Sequence, residues 1–69
     1  MMIHVSFRPR RQEDRAVELP DGAKVADLMA AVGEPVDVTV AVRGNVPVAE
    51  DEALIDGEAI LLLSAASGG

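Results

Sequence analysis

The 69-residue sequence is long enough for one small domain, and such a domain buries only about 60% of the surface that its unfolded chain exposes. It contains no cysteine, which excludes disulfides and thiolate metal sites, so aliphatic packing must supply the core. Its net charge of −6 disfavours nucleic acid and anionic lipid; it favours a basic partner or simply keeps the protein in solution.

The cellular location is expected to be the cytoplasm. No segment approaches the roughly 18 consecutive apolar residues of a membrane-spanning helix. The first residues, MMIHVSF, lack the charged start and the long apolar run of a signal peptide. We therefore expect neither a membrane partner nor export.

The chain begins with a predicted β-hairpin. Residues 3–7 alternate apolar and polar side chains, which is typical of a strand with one buried face. Residues 8–14 are polar and include a proline, so they form a loop. A second, short strand covers residues 16–19 and stops at the Pro-Asp-Gly turn of residues 20–22.

A helix is predicted over residues 24–32. Its apolar residues recur with helical spacing and form one stripe: Val25, Leu28, Met29 and Val32. Gly33 suits a left-handed helix end, and Pro35 prevents the helix from continuing. Asp27 in the first turn favours the helix through its dipole.

The second half of the chain predicts three more strands. Residues 38–43 are rich in valine, and Gly44-Asn45 suits a tight turn before an edge strand at residues 46–48. Residues 59–63 are apolar at every position, as in a strand buried on both faces. The order β-β-α-β-β-β predicts an α+β roll, a mixed sheet of four to five strands with one helix packed across one face.

The chain end is the most informative feature for function. We assign residues 1–63 to the domain and residues 64–69 to a flexible tail of small residues. A Gly-Gly end arises by chance in about 0.5% of sequences, given Gly at about 7% per position. Because Gly68 and Gly69 lack a Cβ, they can enter a narrow channel and present a carboxylate to another enzyme. The alternative interpretation is an ordinary frayed end.

No catalytic machinery is apparent in the sequence. His4, the sole histidine, has no sequence-adjacent nucleophile and is interpreted as a surface side chain, and the carboxylates are scattered over loops. No metal-ligand cluster or phosphate-binding glycine loop is present. The basic run of residues 8–11 has no aromatic residues beside it, so we expect no nucleic-acid partner. We predict a protein that is not an enzyme and binds no metal or cofactor.

Four parts of the sequence together match a family pattern. Residues 20–28 (PDGAKVADL) have the form PDG-x-x-V-x-DL, and residues 40–44 (VAVRG) with 46–48 (VPV) are similar to the hairpin V-x-V-N-G-x-x-V. Residues 54–60 (LIDGEAI) are similar to L-x-DGD-x-I/V, and residues 67–69 (SGG) match the tail. In this combination the chain resembles the ThiS/MoaD-type sulfur carriers and the ubiquitin-like small archaeal modifiers, which share the β-grasp fold.

The sequence departs from that pattern at several positions. Lys24 replaces a capping Thr or Ser, Arg43 replaces a common Asn, and Glu58 replaces the usual Asp. The tail lacks the proline pair frequent in molybdopterin-type carriers, whereas residues 46–51 are closer to the small archaeal modifiers. The branch of the superfamily therefore stays open.

The resemblance implies that a ubiquitin-activating-type enzyme adenylates Gly69 with ATP, which is used by that partner and not bound as a cofactor. The activated end would then become a thiocarboxylate that supplies a sulfur-accepting biosynthetic enzyme, for molybdopterin, thiamine or tRNA thiolation. It would instead, or in addition, be conjugated to lysines of target proteins. The alternative is a non-covalent β-grasp interaction module that does not need Gly68 and Gly69.

The resemblance also assigns faces to the sheet. The predicted core residues are Ile3, Val5, Phe7, Val25, Leu28, Val32, Val38, Val40, Ile60 and Leu62. The residues predicted to face away from the helix, as a docking surface for the partner, are Leu61, Leu63, His4, Thr39, Ala41 and Arg43. The alternative for the two leucines is ordinary surface exposure. Lys24, the only lysine, is either a plain surface side chain or the one internal acceptor for self-conjugation besides the N-terminus.

Overall fold

Five strands and one helix make up the computed structural model of the protein, which describes residues 1–64. The elements are β1 (Met2–Arg8), β2 (Arg15–Glu18), α1 (Val25–Val32), β3 (Thr39–Arg43), β4 (Val46–Val48) and β5 (Ala59–Ser64). A single 3₁₀ turn at Val36–Val38 precedes β3. The predicted α+β class, with one helix and a mixed sheet, is confirmed.

The last strand, β5, lies in the middle of the sheet. The strand order is β2-β1-β5-β3-β4; β5 runs parallel to β1 and antiparallel to β3. Its final residue, Ser64, pairs with Thr39 and was expected in the tail. The other predicted tail residues, with Gly68 and Gly69, lie outside the described residues. The end of the sheet at which β5 finishes is called the tail end below.

The helix α1 is bounded as the sequence predicts. The carboxylate of Asp27 accepts a 2.8 Å hydrogen bond from the backbone N–H of Lys24, which satisfies one donor at the helix start. Gly33 ends the helix in the left-handed conformation at φ 76°, and its N–H donates to the carbonyl of Ala30. The helix thereby turns its one apolar stripe onto the sheet.

One hydrophobic core lies between α1 and the sheet. Eight of the ten predicted core residues are buried there: Ile3, Val5, Phe7, Val25, Leu28, Val32, Ile60 and Leu62. The core also contains residues that the prediction left out: Leu19, Ala23, Met29, Ala41 and Leu54. The buried residues lie in β1, α1, β3, β5 and the loops, and the edge strands β2 and β4 add only the partly buried Val17 and Val48.

The prediction of which β3 residues face the core is wrong: the residue expected to be buried faces outward, and those expected to face outward lie on the core side. Ala41 is 0% exposed and Thr39 is also buried, whereas Val40 is 37% exposed. Directly paired residues of neighbouring strands share a face, and Ala41 pairs with the buried Leu62. Val38, the other misassigned core residue, belongs to the 3₁₀ turn and is half-buried. A run of valines therefore indicated a strand but not its buried side.

Candidate functional site

The candidate site is the sheet face that points away from α1, which we call the outer face. Strand pairing arranges its side chains in rows across the sheet. The row at the tail end contains Arg8, Leu63 and Val40. The next row contains Ser6, Leu61, Val42 and Pro47. A third row contains Ala16, His4 and Ala59.

Five of these residues form an apolar patch that covers the β5, β3 and β4 part of the outer face. The patch consists of Val40, Val42, Pro47, Leu61 and Leu63. Val40 and Pro47 are exposed, and the other three are half-buried. No helix or loop of residues 1–64 provides a second core on this side, because the described core residues all lie on the helix side. A contiguous apolar face of this kind is typical of an interaction surface.

The apolar patch contains only part of the predicted docking surface. Leu61 and Leu63 lie in it, and His4 lies on the same face one row beyond Leu61. Ala41 and Arg43 do not belong to it, because they pair with Leu62 and Ile60, which are in the core. The prediction that Ala41 and Arg43 face outward is therefore wrong, because the two residues lie on the side of β3 that faces the helix.

Arg43 has a structural role instead. Its Nε donates to Glu58 Oε1 at 2.6 Å and its Nη2 to Glu58 Oε2 at 3.0 Å, while Nη2 also donates to the carbonyl of Ala53 at 3.0 Å. The hydrogen bonds from Arg43 lower the pKa of the Glu58 carboxyl, although desolvation opposes them. Glu58 also accepts the backbone N–H of Ile55 at 2.6 Å. The pair therefore ties β3 to the loop that leads into β5.

A groove occupies the other half of the outer face. It has a volume of about 330 Å³ and is lined by His4, Val5, Ser6, Asp14, Arg15, Ala16 and Ala59. It is open because His4 has alanine on both neighbouring strands, at positions 16 and 59. The groove lining includes one imidazole, one carboxylate, one arginine and the hydroxyl of Ser6. Among residues 1–64 the side chain of His4 makes no hydrogen bond to a hydroxyl or an amine, so no activated nucleophile is apparent there.

The tail end of the sheet is held by the loop between β1 and β2. Arg11 Nη2 donates to the carbonyl of Leu62 at 3.3 Å, its Nε donates to Glu34 Oε1 at 2.9 Å, and its guanidinium lies 5.5 Å from the centre of the Phe7 ring. Gln12 Nε2 donates to Glu34 Oε2 at 2.7 Å. Burial of the Glu34 carboxyl raises its pKa, but the hydrogen bonds from Arg11 and Gln12 outweigh this, and the net pKa is lowered. The loop thus joins the C-terminal end of α1 to the last residues of β5.

Lys24 is exposed immediately before α1, and it faces Ala53 across an isolated β-bridge. This position is compatible with either interpretation of the lysine, as acceptor or as plain surface residue. The part of the chain that the structure describes has no group of three or more His, Asp or Glu side chains arranged to hold a metal ion. Within the same part, no helix is long and apolar enough to cross a membrane.

Comparison with known proteins yields no assignment: neither a scan against protein-family models nor a search of the curated proteins finds a match. The candidate site must therefore be interpreted from its own residues. Those residues form an apolar patch beside the place where β5 ends, with an open groove next to it.

Proposed function

We propose that the protein is a ubiquitin-like carrier or modifier that presents Gly69 to an ATP-dependent adenylating enzyme. The observation that carries the proposal is the position of the apolar patch, whose outermost row lies beside Ser64. Gly69 follows Ser64 by five residues, and five residues reach at most about 18 Å when extended. An enzyme that binds the patch can therefore receive the carboxylate of Gly69 in a nearby active site.

The fold is consistent with this proposal. A five-stranded mixed sheet with one helix on one face is compatible with the β-grasp fold, to which the sequence resemblance also points. In that arrangement the helix covers one face and leaves the other free for a partner. The proposal places the protein in the cytoplasm, where its partner has access to ATP.

The proposed chemistry takes place on the partner. A carboxylate is a poor acyl donor, because its oxygen is a poor leaving group at neutral pH. The Gly69 carboxylate attacks the α-phosphorus of ATP, which forms an acyl-adenylate and expels pyrophosphate. Hydrosulfide (HS⁻) then displaces AMP and leaves a thiocarboxylate, or an enzyme thiol displaces AMP to form a thioester, from which a lysine amine takes the acyl group and releases the thiol. The chain itself supplies the reacting end and no catalytic side chain.

The test is pyrophosphate release from ATP in the presence of the chain and, one at a time, purified ubiquitin-activating-type enzymes of the native cell. We expect release with the wild-type chain and none after deletion of Gly69, with unchanged circular dichroism. If no enzyme releases pyrophosphate with the wild-type chain, the proposal is wrong. If the deletion variant can replace the wild-type chain in its native cell without any defect, a non-covalent interaction module is the better description.

The apolar patch has its own matched test. Val40→Asp places a charge in the patch, and Val46→Asp places the same charge at a more exposed valine, 61% exposed, that pairs with Arg43 and so faces away from the patch. We expect the KM for the chain to rise at least tenfold with Val40→Asp and to change less than twofold with Val46→Asp. Circular dichroism and thermal unfolding of Val40→Asp check that loss of folding is not the cause.

The two branches of the proposed function differ in their products. A sulfur carrier isolated from its native cell contains a fraction with the mass of one sulfur-for-oxygen replacement at the C-terminus. A modifier leaves Gly-Gly remnants on lysines of other proteins after digestion with a protease that cleaves between Ser67 and Gly68. Finding both products assigns both roles to the chain.

A further inference from the structure

Charge is unevenly distributed over the outer face: Asp14 and Arg15 line its groove, whereas the half that holds the apolar patch is nearly free of charge. Of the outward-facing strand residues, only Arg8 and Glu18 are charged. The carboxylate of Glu18 accepts a hydrogen bond from the amino group of Met1 at 3.2 Å, at the end of β1 opposite the tail end. The half of the outer face that holds the apolar patch therefore has little of the negative charge that gives the chain its total of −6.

Arg8 differs from the other arginines in having no partner among residues 1–64. The other four are all engaged within the chain: Arg10 with Asp14, Arg11 with Glu34, Arg15 with Gln12, and Arg43 with Glu58. Arg8 is exposed and pairs across the strands with Leu63, so its side chain begins beside the apolar patch, in the row nearest the tail end.

We infer that Arg8 pairs with a carboxylate of the adenylating enzyme and so orients the docked domain with its tail end toward that enzyme's active site. The inference rests on the proposed function. Burial of the apolar patch removes water around Arg8, and a cation in such a place loses solvation unless an acidic group lies opposite. An acidic partner group is therefore the complement that this surface requires, while the remainder of the chain, being acidic, repels it elsewhere.

The position of Arg8 gives the pair an orienting role. The apolar patch alone is a fairly uniform surface of aliphatic side chains, which binds without a strong preference for rotation about its centre. A charge at one end of that surface removes this freedom, because rotation by half a turn separates the two charges by the length of the patch. Charged rim contacts of this kind act mainly on specificity and on the association rate.

The test compares two charge reversals in the pyrophosphate-release assay, with the enzyme that accepts the wild-type chain. Arg8→Glu removes and reverses the proposed contact. Arg10→Glu changes the net charge by the same amount, but Arg10 lies in the loop after β1 and is paired with Asp14. Circular dichroism and thermal unfolding of both variants show whether they fold, and Arg8→Gln serves as a second, uncharged variant of the same position.

We expect Arg8→Glu to raise KM by about tenfold or more, with a smaller rise for Arg8→Gln and less than a twofold change for Arg10→Glu. The effect of Arg8→Glu on KM should shrink as salt is added. Replacing the partner's carboxylate by lysine should restore binding of Arg8→Glu.

Equal effects of the two reversals mean that only net charge matters and overturn the inference, as does the absence of any effect at Arg8. Neither result affects the proposed function, since the wild-type chain is adenylated in both. If no enzyme adenylates the wild-type chain, the proposed function is wrong and the inference fails with it.

Discussion

Arg43 donates hydrogen bonds to both carboxylate oxygens of Glu58, at 2.6 and 3.0 Å. These are two of the positions at which the sequence departs from the pattern it resembles, where Asn and Asp are usual. The structure shows that the two departures meet in one bidentate ion pair, in which a longer acidic side chain reaches the longer basic one. A single replacement at either position would remove this match.

Glu58→Gln should therefore destabilise the protein. Its amide cannot accept both hydrogen bonds from Arg43 as strongly as a carboxylate does, so we expect a loss of about 1 kcal/mol. A change of that size lowers the melting temperature of a small domain by about 4–8 °C. Glu52→Gln is the matched control, because Glu52 lies 3.6 Å from the same guanidinium but is half exposed. A larger effect at Glu52 than at Glu58 would contradict this description of the ion pair.

Stability should decrease in acid for a specific reason. The carboxyls of Glu34 and Glu58 both have a pKa below their ordinary value of 4.5. Each therefore contributes stability that is fully present above about pH 4.5 and is lost as the pH falls through the lowered pKa of the folded state. The double variant Glu34→Gln/Glu58→Gln should be less stable at neutral pH and should lose less stability on acidification.

Urea unfolding midpoints measured between pH 7 and pH 3 test this expectation. The control is the double variant Glu13→Gln/Glu50→Gln, which changes the net charge equally at two exposed residues. It should retain the steep acid dependence of the wild type. A control as flat as the test variant would mean that total charge, rather than these two carboxyls, governs the acid response.

The inverted facing of β3 is directly testable. Ala41→Leu adds volume to a fully buried position next to Leu62 and should cost about 1–3 kcal/mol. Val40→Leu adds one methylene on the outer face and should change the free energy of unfolding by less than about 0.5 kcal/mol. Thermal unfolding of the two variants decides the facing, since the reverse order of stabilities would place Val40 in the core.

Thr39 offers a stabilising substitution. Its Oγ1 is buried without a hydrogen bond partner among residues 1–64. Thr39→Val replaces this hydroxyl by a methyl group of similar shape, so we expect a gain of about 1 kcal/mol in the free energy of unfolding. Thr39→Ser, which retains the hydroxyl and removes the methyl group, should instead destabilise. If valine destabilises the protein, the hydroxyl has a partner that residues 1–64 do not provide.

Pro47 protects one edge of the sheet. The two-residue turn at Gly44–Asn45 makes Arg43 and Val46 a hydrogen-bonded pair, so position 47 points its backbone nitrogen toward the free edge of β4. Proline has no N–H to offer there. Pro47→Val should therefore cause concentration-dependent association, measured by light scattering, whereas Ala49→Val, which adds an exposed valine beside the strand, should not. Equal association of both variants would point to added apolar surface instead.

Local patterns predicted the elements well. The alternation in residues 3–7, the helical spacing of Val25, Leu28 and Val32, and the Gly33 helix end each depend on interactions within one segment. Such interactions are encoded in neighbouring residues, which is why the bounds of α1 and of the first strands agree with the structure to within a residue or two.

The facing of β3 could not be predicted in the same way. Residues 38–43 alternate valine with Thr39 and Ala41, and residues that small are accommodated on either face of a sheet. Which side of β3 is buried depends on its pairing with β5. Because β5 is apolar on both faces, its sequence does not indicate which of its own faces is buried. The ion pair of Arg43 and Glu58 was equally hidden, since it joins residues that only the folded chain brings together.

The central place of β5 has a consequence for how the protein is made. Until that strand has emerged from the ribosome, β1 and β3 share no neighbour, and the nascent chain can form only two separate hairpins, which are marginally stable in water. Premature termination before residue 59 therefore yields a product that cannot assemble its sheet. The sheet can therefore form only after β5 has been synthesised.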